Sequence, residues 1–337
     1  MKPTTLRADP RQIADPFGEH ESPALSRRFN LLGAAIEFRS NSAELMALVD
    51  VAYRDLPAHG SGVSALRVEL RLVEGGEGFA TEPPVARMLG GAGLLGAVMD
   101  AHNLALINPE TGCAVVQISR ALLAHAYHAR YELIEFAVFQ LASRAQGLVP
   151  LHAGCVGLAG AGALLIGESG AGKSTLALQA MAQGLVFLTE DACFIDASGL
   201  RATGIANFLH LRFDALSWVD DAALRECIQA SPVIRRRSGV EKHELDMRAR
   251  WTRLAAGPLR LEHVVFVSPE PAVDDELLRP LDAGEAMQRL HLSQPYAAGQ
   301  PGWLPFVEGC ARLPGWELRR GSHPRAGALA LKGLFAA

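Results

Sequence analysis

The chain of 337 residues is 49% hydrophobic and 20% charged, with a formal net charge of −4, and it is long enough for two separately cored domains. The slight acidity argues against a nucleic-acid partner, which usually requires a basic face, and no apolar run reaches the ~18 residues of a membrane-crossing helix. The five cysteines are scattered with no CxxC pair, which offers no zinc site and fits free thiols in a reducing cytoplasm.

Residues 1–24 are polar and proline-spaced, unlike a signal peptide, and read as a flexible tail. LLGAAIEFRS (31–40) predicts a strand, SAELMALVDVAYRDL (42–56) a helix capped by Ser42, and ALRVELRLVE (65–74) an alternating strand. EGGEGFATEPPVARMLGGAG (74–93) reads as a long loop, and ALINPETGCAVVQIS (105–119) as a hairpin turning at Asn108, Pro109 and Gly112. The most helical segment is ALLAHAYHARYELIEFAVFQLASRAQG (121–147), closed by Gly147. Residues 25–148 are therefore expected to form a small α+β domain that carries no chemical motif.

From Val149 the texture changes. VPLHAGCVGL (149–158) and ALLIG (163–167) read as two buried strands of a hairpin turning over Ala159–Gly162, which would set His152 opposite Ser169. The helix KSTLALQAMAQ (173–183) ends at Gly184, and the apolar strand LVFLT (185–189) runs into Glu190 and Asp191. Further on, HVVFV (263–267) predicts a strand, and AGEAMQRLHL (283–292) and PRAGALALKGLF (324–335) predict helices.

Between the second strand and its helix, Gly167, Glu168, Ser169, Gly170, Ala171, Gly172, Lys173 and Ser174 satisfy G-x-x-x-x-G-K-[ST]. Glycines let backbone N–H groups converge on a phosphate, and the following helix turns its positive end toward the same group. These residues and Thr175 are the expected nucleotide contacts. Lys173 is expected to bridge the β- and γ-phosphates of ATP, and Ser174 to offer its hydroxyl to Mg²⁺. Lysine is rare here, with four lysines against 28 arginines, so a lysine inside a functional pattern carries weight. Glu190 and Asp191 end the next strand, on the side where parallel sheets bind ligands. Asp191 is the candidate for the metal, with Ser174, and Glu190 for the base that deprotonates an attacking hydroxyl. The basic segment VIRRRSGVEKHELDMRAR (233–250) adds Lys242 and Arg237 as candidate contacts to phosphate or substrate.

The layout LHAGCV, GESGAGKST, TED resembles the catalytic domain of HPr serine kinase/phosphorylase and the related HprK-like kinases, over roughly residues 149–337 and most specifically in the first fifty. The resemblance implies an α/β, P-loop, phosphoenolpyruvate-carboxykinase-like nucleotide domain behind the α+β N-terminal domain. It implies ATP- and Mg²⁺-dependent phosphorylation of a serine on a protein or peptide, such as a biosynthetic precursor peptide. His152 would then touch the transferred group, alongside Lys173 and the acid pair, in a cytoplasmic homo-oligomer. Three features depart from the family pattern: Glu190 stands where the family has aspartate, Thr175 where the authentic kinase has glutamate, and GLRATGIANF (199–208) has no equivalent of a metal-binding glutamate of that enzyme. The alternatives are a P-loop ATPase that hydrolyses ATP without an acceptor, and a nucleotide-binding regulatory module.

Overall fold

The computed structural model describes residues 23–59, 66–76, 78–248, 253–273 and 276–336; the expected tail lies almost wholly outside them. Among the described residues the fold is mixed α/β with three sheets.

The first sheet runs in the order β1-β2-β3-β7-β6-β5-β4. Its strands are β1 (Leu25–Leu31), β2 (Ala34–Ser40), β3 (Leu66–Val73), β4 (Arg87–Gly91), β5 (Leu94–Val98), β6 (Leu104–Asn108) and β7 (Cys113–Ser119). β2 and β3 are parallel because helix α1 (Ala43–Tyr53) crosses between them. Ser42 caps α1 as expected, accepting the Leu45 N–H. Alternate side chains of β2 (Ala34, Ile36, Phe38) and β3 (Leu66, Val68, Leu70) are buried against α1 and helix α2 (Phe136–Gln146). Within the stretch read as loop, β4 is fully exposed along its length and pairs with β5 at the sheet's edge. Its glycines gave no strand signal. The long helix is also broken: a π-helical turn over Ala129–Glu135 precedes α2, which ends at Gly147 in the left-handed region (φ 65°).

The second sheet is built from β8 (Val149–His152), β9 (Gly154–Leu158), β10 (Ala161–Ile166), β11 (Val186–Thr189), β12 (Ala192–Asp196), β13 (Arg201–Gly204), β17 (Leu259–Pro271), β18 (Leu278–Leu281) and β19 (Gly315–Arg320). Its main path is β11-β9-β10-β17-β13-β12-β8, and β19 pairs with both β17 and β18. On β10, Ala163 and Leu165 face α3 (Lys173–Ala182) and α7 (Pro324–Gly333). Leu164 and Ile166 face the opposite core, with Leu290 of α5 (Ala283–Ser293) and Phe306 of α6 (Trp303–Cys310). A sheet buried on both faces reads as an unbroken apolar run, which ALLIG is. Beside it, β14 (Phe208–Leu211), β15 (Val233–Arg235) and β16 (Glu241–Asp246) form a small antiparallel sheet, and α4 (Ala222–Ala230) lies between β14 and β15 in sequence.

The expected hairpin needs correction. β9 and β10 do pair antiparallel, but through the two-residue turn Ala159–Gly160, with Leu158 opposite Ala161. Both turn residues are left-handed (φ 50° and 88°), the geometry that matches strand twist. The chain also changes partners at Ala153: β8 leaves β9 and pairs with β12, setting His152 opposite Ala192 instead of Ser169. A side chain at Gly154 would place its Cβ 2.8 Å from the Glu190 carbonyl oxygen, so this crossing closes only around glycine. The two larger sheets also share a core, since Phe194 of β12 packs on Phe139 of α2 at 5.3 Å between ring centroids.

Candidate functional site

The turn between β10 and α3 is shaped by its glycines. Gly170 and Gly172 sit at φ 89° and 99°, a region that costs other residues about 1–2 kcal/mol. Gly172 caps α3 with no side-chain acceptor, and the first helical bond is Leu176 N–H to the Gly172 carbonyl at 2.8 Å. The amides before Leu176 are thus left without helical partners, an anion-binding arrangement. The Lys173 ammonium folds back over the loop and donates to the carbonyls of Gly167 (2.5 Å) and Glu168 (3.2 Å). Burial lowers its pKa, with Asp191 and Glu190 pulling the other way.

Residues 168–175 line one cavity of about 840 Å³ together with His152, Glu190, Asp191 and Lys242. Most of the residues singled out from sequence therefore meet in one place. Gly167 supports the loop from behind, where a Cβ would lie 2.7 Å from the Val267 carbonyl oxygen. Arg237 does not join them. Its guanidinium is clamped on the Glu132 carboxylate by two bonds of 2.7 Å and on the Pro83 carbonyl at 2.6 Å, away from the cavity. The neighbouring Arg236 lines the cavity instead. Arg236 donates to Asp191 (3.3 Å) and to the Tyr127 hydroxyl (3.2 Å), and lies 5.1 Å above the Tyr131 ring.

The two acids at the end of β11 point to different partners. Glu190 is buried, accepting the Ser174 hydroxyl at 2.5 Å and both the backbone N–H and Nδ1 of His210 at 2.9 Å. Burial alone would raise its pKa, but the His210 charge and these hydrogen bonds outweigh it and bring the carboxyl down to about 2. Asp191 is half-buried and lies between His152 Nδ1 and Arg236, 3.3 Å from each.

Sequence reading missed what lies behind Glu190. His210 of β14 pairs across strands with Glu244 of β16, its Nε2 3.3 Å from the Glu244 carboxylate. Burial opposes its charge, yet the two flanking carboxylates raise its pKa to about 9. Arg130, on the π-helical turn, donates to Glu244 and stands 3.3 Å from Glu135. A buried row of alternating charge, Glu190–His210–Glu244–Arg130–Glu135, thus runs from the glycine loop into the half of the molecule that carries the first sheet. By period two, FLHLRF sets His210 on the face opposite the core residues Leu209 and Leu211, so no local signal marks it as buried, nor its partners.

Among the described residues no group of three or more His, Cys, Asp or Glu could hold a metal ion alone. Ser174 Oγ and the Glu190 carboxylate nevertheless supply two adjacent hard oxygens, the donor type Mg²⁺ takes when phosphates and water complete its shell. Ser174 bonds Glu190, whereas Asp191, expected beside Ser174 at the metal, contacts His152 and Arg236.

No family model matches the chain, and no curated protein matches it in sequence. Among solved structures, the HPr(Ser) kinase/phosphatase from Coxiella burnetii is similar over 56% of this chain and 88% of that chain, at 15% identity and a TM-score of 0.28.

Proposed function

We propose that the chain is an ATP- and Mg²⁺-dependent kinase of the P-loop type that transfers the γ-phosphate to a serine hydroxyl of a protein or peptide. The observation that carries the reading is the division of labour between neighbouring acids: Glu190 is committed to Ser174, and Asp191 is displayed in the open cavity.

On this reading the phosphates lie on the amides of the glycine loop, and Lys173 leaves the Gly167 and Glu168 carbonyls to neutralise them. Ser174 and Glu190 would hold Mg²⁺, which supplies charge neutralisation on the phosphate oxygens when bound. Asp191 accepts the proton of the serine hydroxyl as its oxygen bonds to the γ-phosphorus and the bond to ADP breaks. This exchanges the base role expected of Glu190 for Asp191, because an acid already accepting three hydrogen bonds has little basicity left. His152 orients Asp191 through Nδ1, and Lys242 and Arg236 stand ready for the charge that spreads over the transferring group.

The test is transfer of labelled phosphate from ATP to an array of serine-containing peptides, measured beside phosphate release. Asp191→Asn should lower kcat by roughly 10²–10⁴-fold and leave nucleotide binding intact, and Lys173→Ala should abolish transfer. Transfer by Asp191→Asn at the wild-type rate would remove Asp191 as base. Rapid phosphate release that ignores every acceptor would make the chain an ATPase.

A further inference from the structure

The glycine loop and its lysine account for the phosphates of a nucleotide and leave much of the cavity without an assigned occupant. Among the described residues lining it, Trp218 is the one Phe, Tyr or Trp, and the residue is 37% exposed. An aromatic side chain left partly open at a cleft asks for an aromatic or apolar partner.

Its position is held from two sides. The Trp218 carbonyl accepts Gln179 Nε2 at 2.6 Å, which fixes the short 3₁₀ segment Phe213–Trp218 to α3. Gln179 lies six residues beyond Lys173, about 9 Å along the helix, a span comparable with that between the phosphates and the base of a nucleotide. The indole meets His323 edge-on at 5.2 Å and 89°, and His323 caps the start of α7. Gly327 of α7 lies against Leu176 of α3, and both line the cavity. Trp218, the loop and the starts of both helices therefore share one flank.

We propose that Trp218 is the stacking platform for the purine base of the nucleotide whose phosphates sit on residues 167–174. A purine presents the larger π-face, and stacking on an aromatic tolerates either purine. The polar edge of the subsite is supplied by Asp214 and Ser217, which line the cavity within the same 3₁₀ segment. The inference rests on the loop being a nucleotide phosphate site, and the experiment separates the two.

Binding of ADP, GDP and inorganic tripolyphosphate is measured calorimetrically on the full chain and its variants. Trp218→Ala should weaken ADP and GDP by roughly tenfold, the effect of losing one base–aromatic stack, and leave tripolyphosphate unchanged. Trp218→Phe should stay within about threefold of wild type for all three. Equal loss for the nucleotides and tripolyphosphate, or no loss for any, would overturn the platform. If Trp218→Ala does not fold, Trp218→Phe decides by fluorescence: ADP should change the wild-type tryptophan emission and not that of the variant, and an equal change in both would overturn it. Lys173→Ala should weaken all three ligands, and unchanged binding there would instead sink the phosphate site beneath the proposal.

Discussion

Glu190 and Asp191 are consecutive, yet the strand end that carries them turns one into the protein and the other toward the cavity. Their substitutions should therefore fail differently. Glu190→Gln keeps the shape but removes the negative charge beside Ser174, so the Mg²⁺ concentration giving half-maximal rate should rise by tenfold or more. Its melting temperature should also fall, because His210 loses a buried partner and a broken buried pair costs about 3–5 kcal/mol. Titrating Mg²⁺ against rate, with thermal melts of both proteins, checks the two effects. An unchanged metal requirement would detach Glu190 from the metal role.

Between elements, the strands that line the cavity meet the π-helical turn Ala129–Glu135 and the residues just before it. Tyr127 and Tyr131 stack at 5.4 Å and 11°, and together they hold Arg236 against Asp191. A cation over an aromatic face is worth about 0.5–2 kcal/mol, so Tyr131→Leu should lower kcat by roughly 3–30-fold with little change in the KM for ATP. Tyr131→Phe keeps the ring and should behave as wild type. A Leu variant with unchanged kcat would show that the ring serves packing only. This contact also marks where sequence reading stops. The loop and α3 were legible because glycines, lysine and helix period are local signals. The strand change at Ala153 was not, because it depends on how close Gly154 comes to Glu190, 36 positions along the chain by residue number. The two-residue turn escaped because Ala159 occupies a left-handed conformation (φ 50°) that turn rules assign to Gly or Asn. Arg236 and Arg237 are alike in sequence and differ only in which side of the loop they face.

Across the whole molecule, the charge row makes stability depend on pH. His210 has its pKa raised to about 9 in the folded state from an ordinary value near 6.5. Its contribution is fully present below pH ~6.5 and is lost as pH rises through about 9. Glu190 is depressed to about 2, so its contribution is present above an ordinary value near 4.3 and is lost as pH falls. Melting curves should show a plateau between these limits. His210→Gln should flatten the alkaline decline between pH 6.5 and 9 even as it lowers the whole curve. An equally steep decline in the variant would place the pH sensitivity elsewhere.

The same row of charges sets a limit on dismemberment. Cutting the chain between residues 148 and 149 would follow the change in sequence texture, yet it would remove Arg130 and leave Glu244 facing a bared surface with no cation but His210. It would also strip Tyr127 and Tyr131 from Arg236 and uncover Phe194. The fragment from residue 149 onward should therefore aggregate or bind nucleotide poorly when made alone, and mixing in the separately made first half should restore binding. If the fragment alone is monomeric and binds ADP as the full chain does, the seam is a mere boundary. If it does not, the first half acts as a built-in folding partner, and the two halves could be exchanged among related chains only as a matched pair.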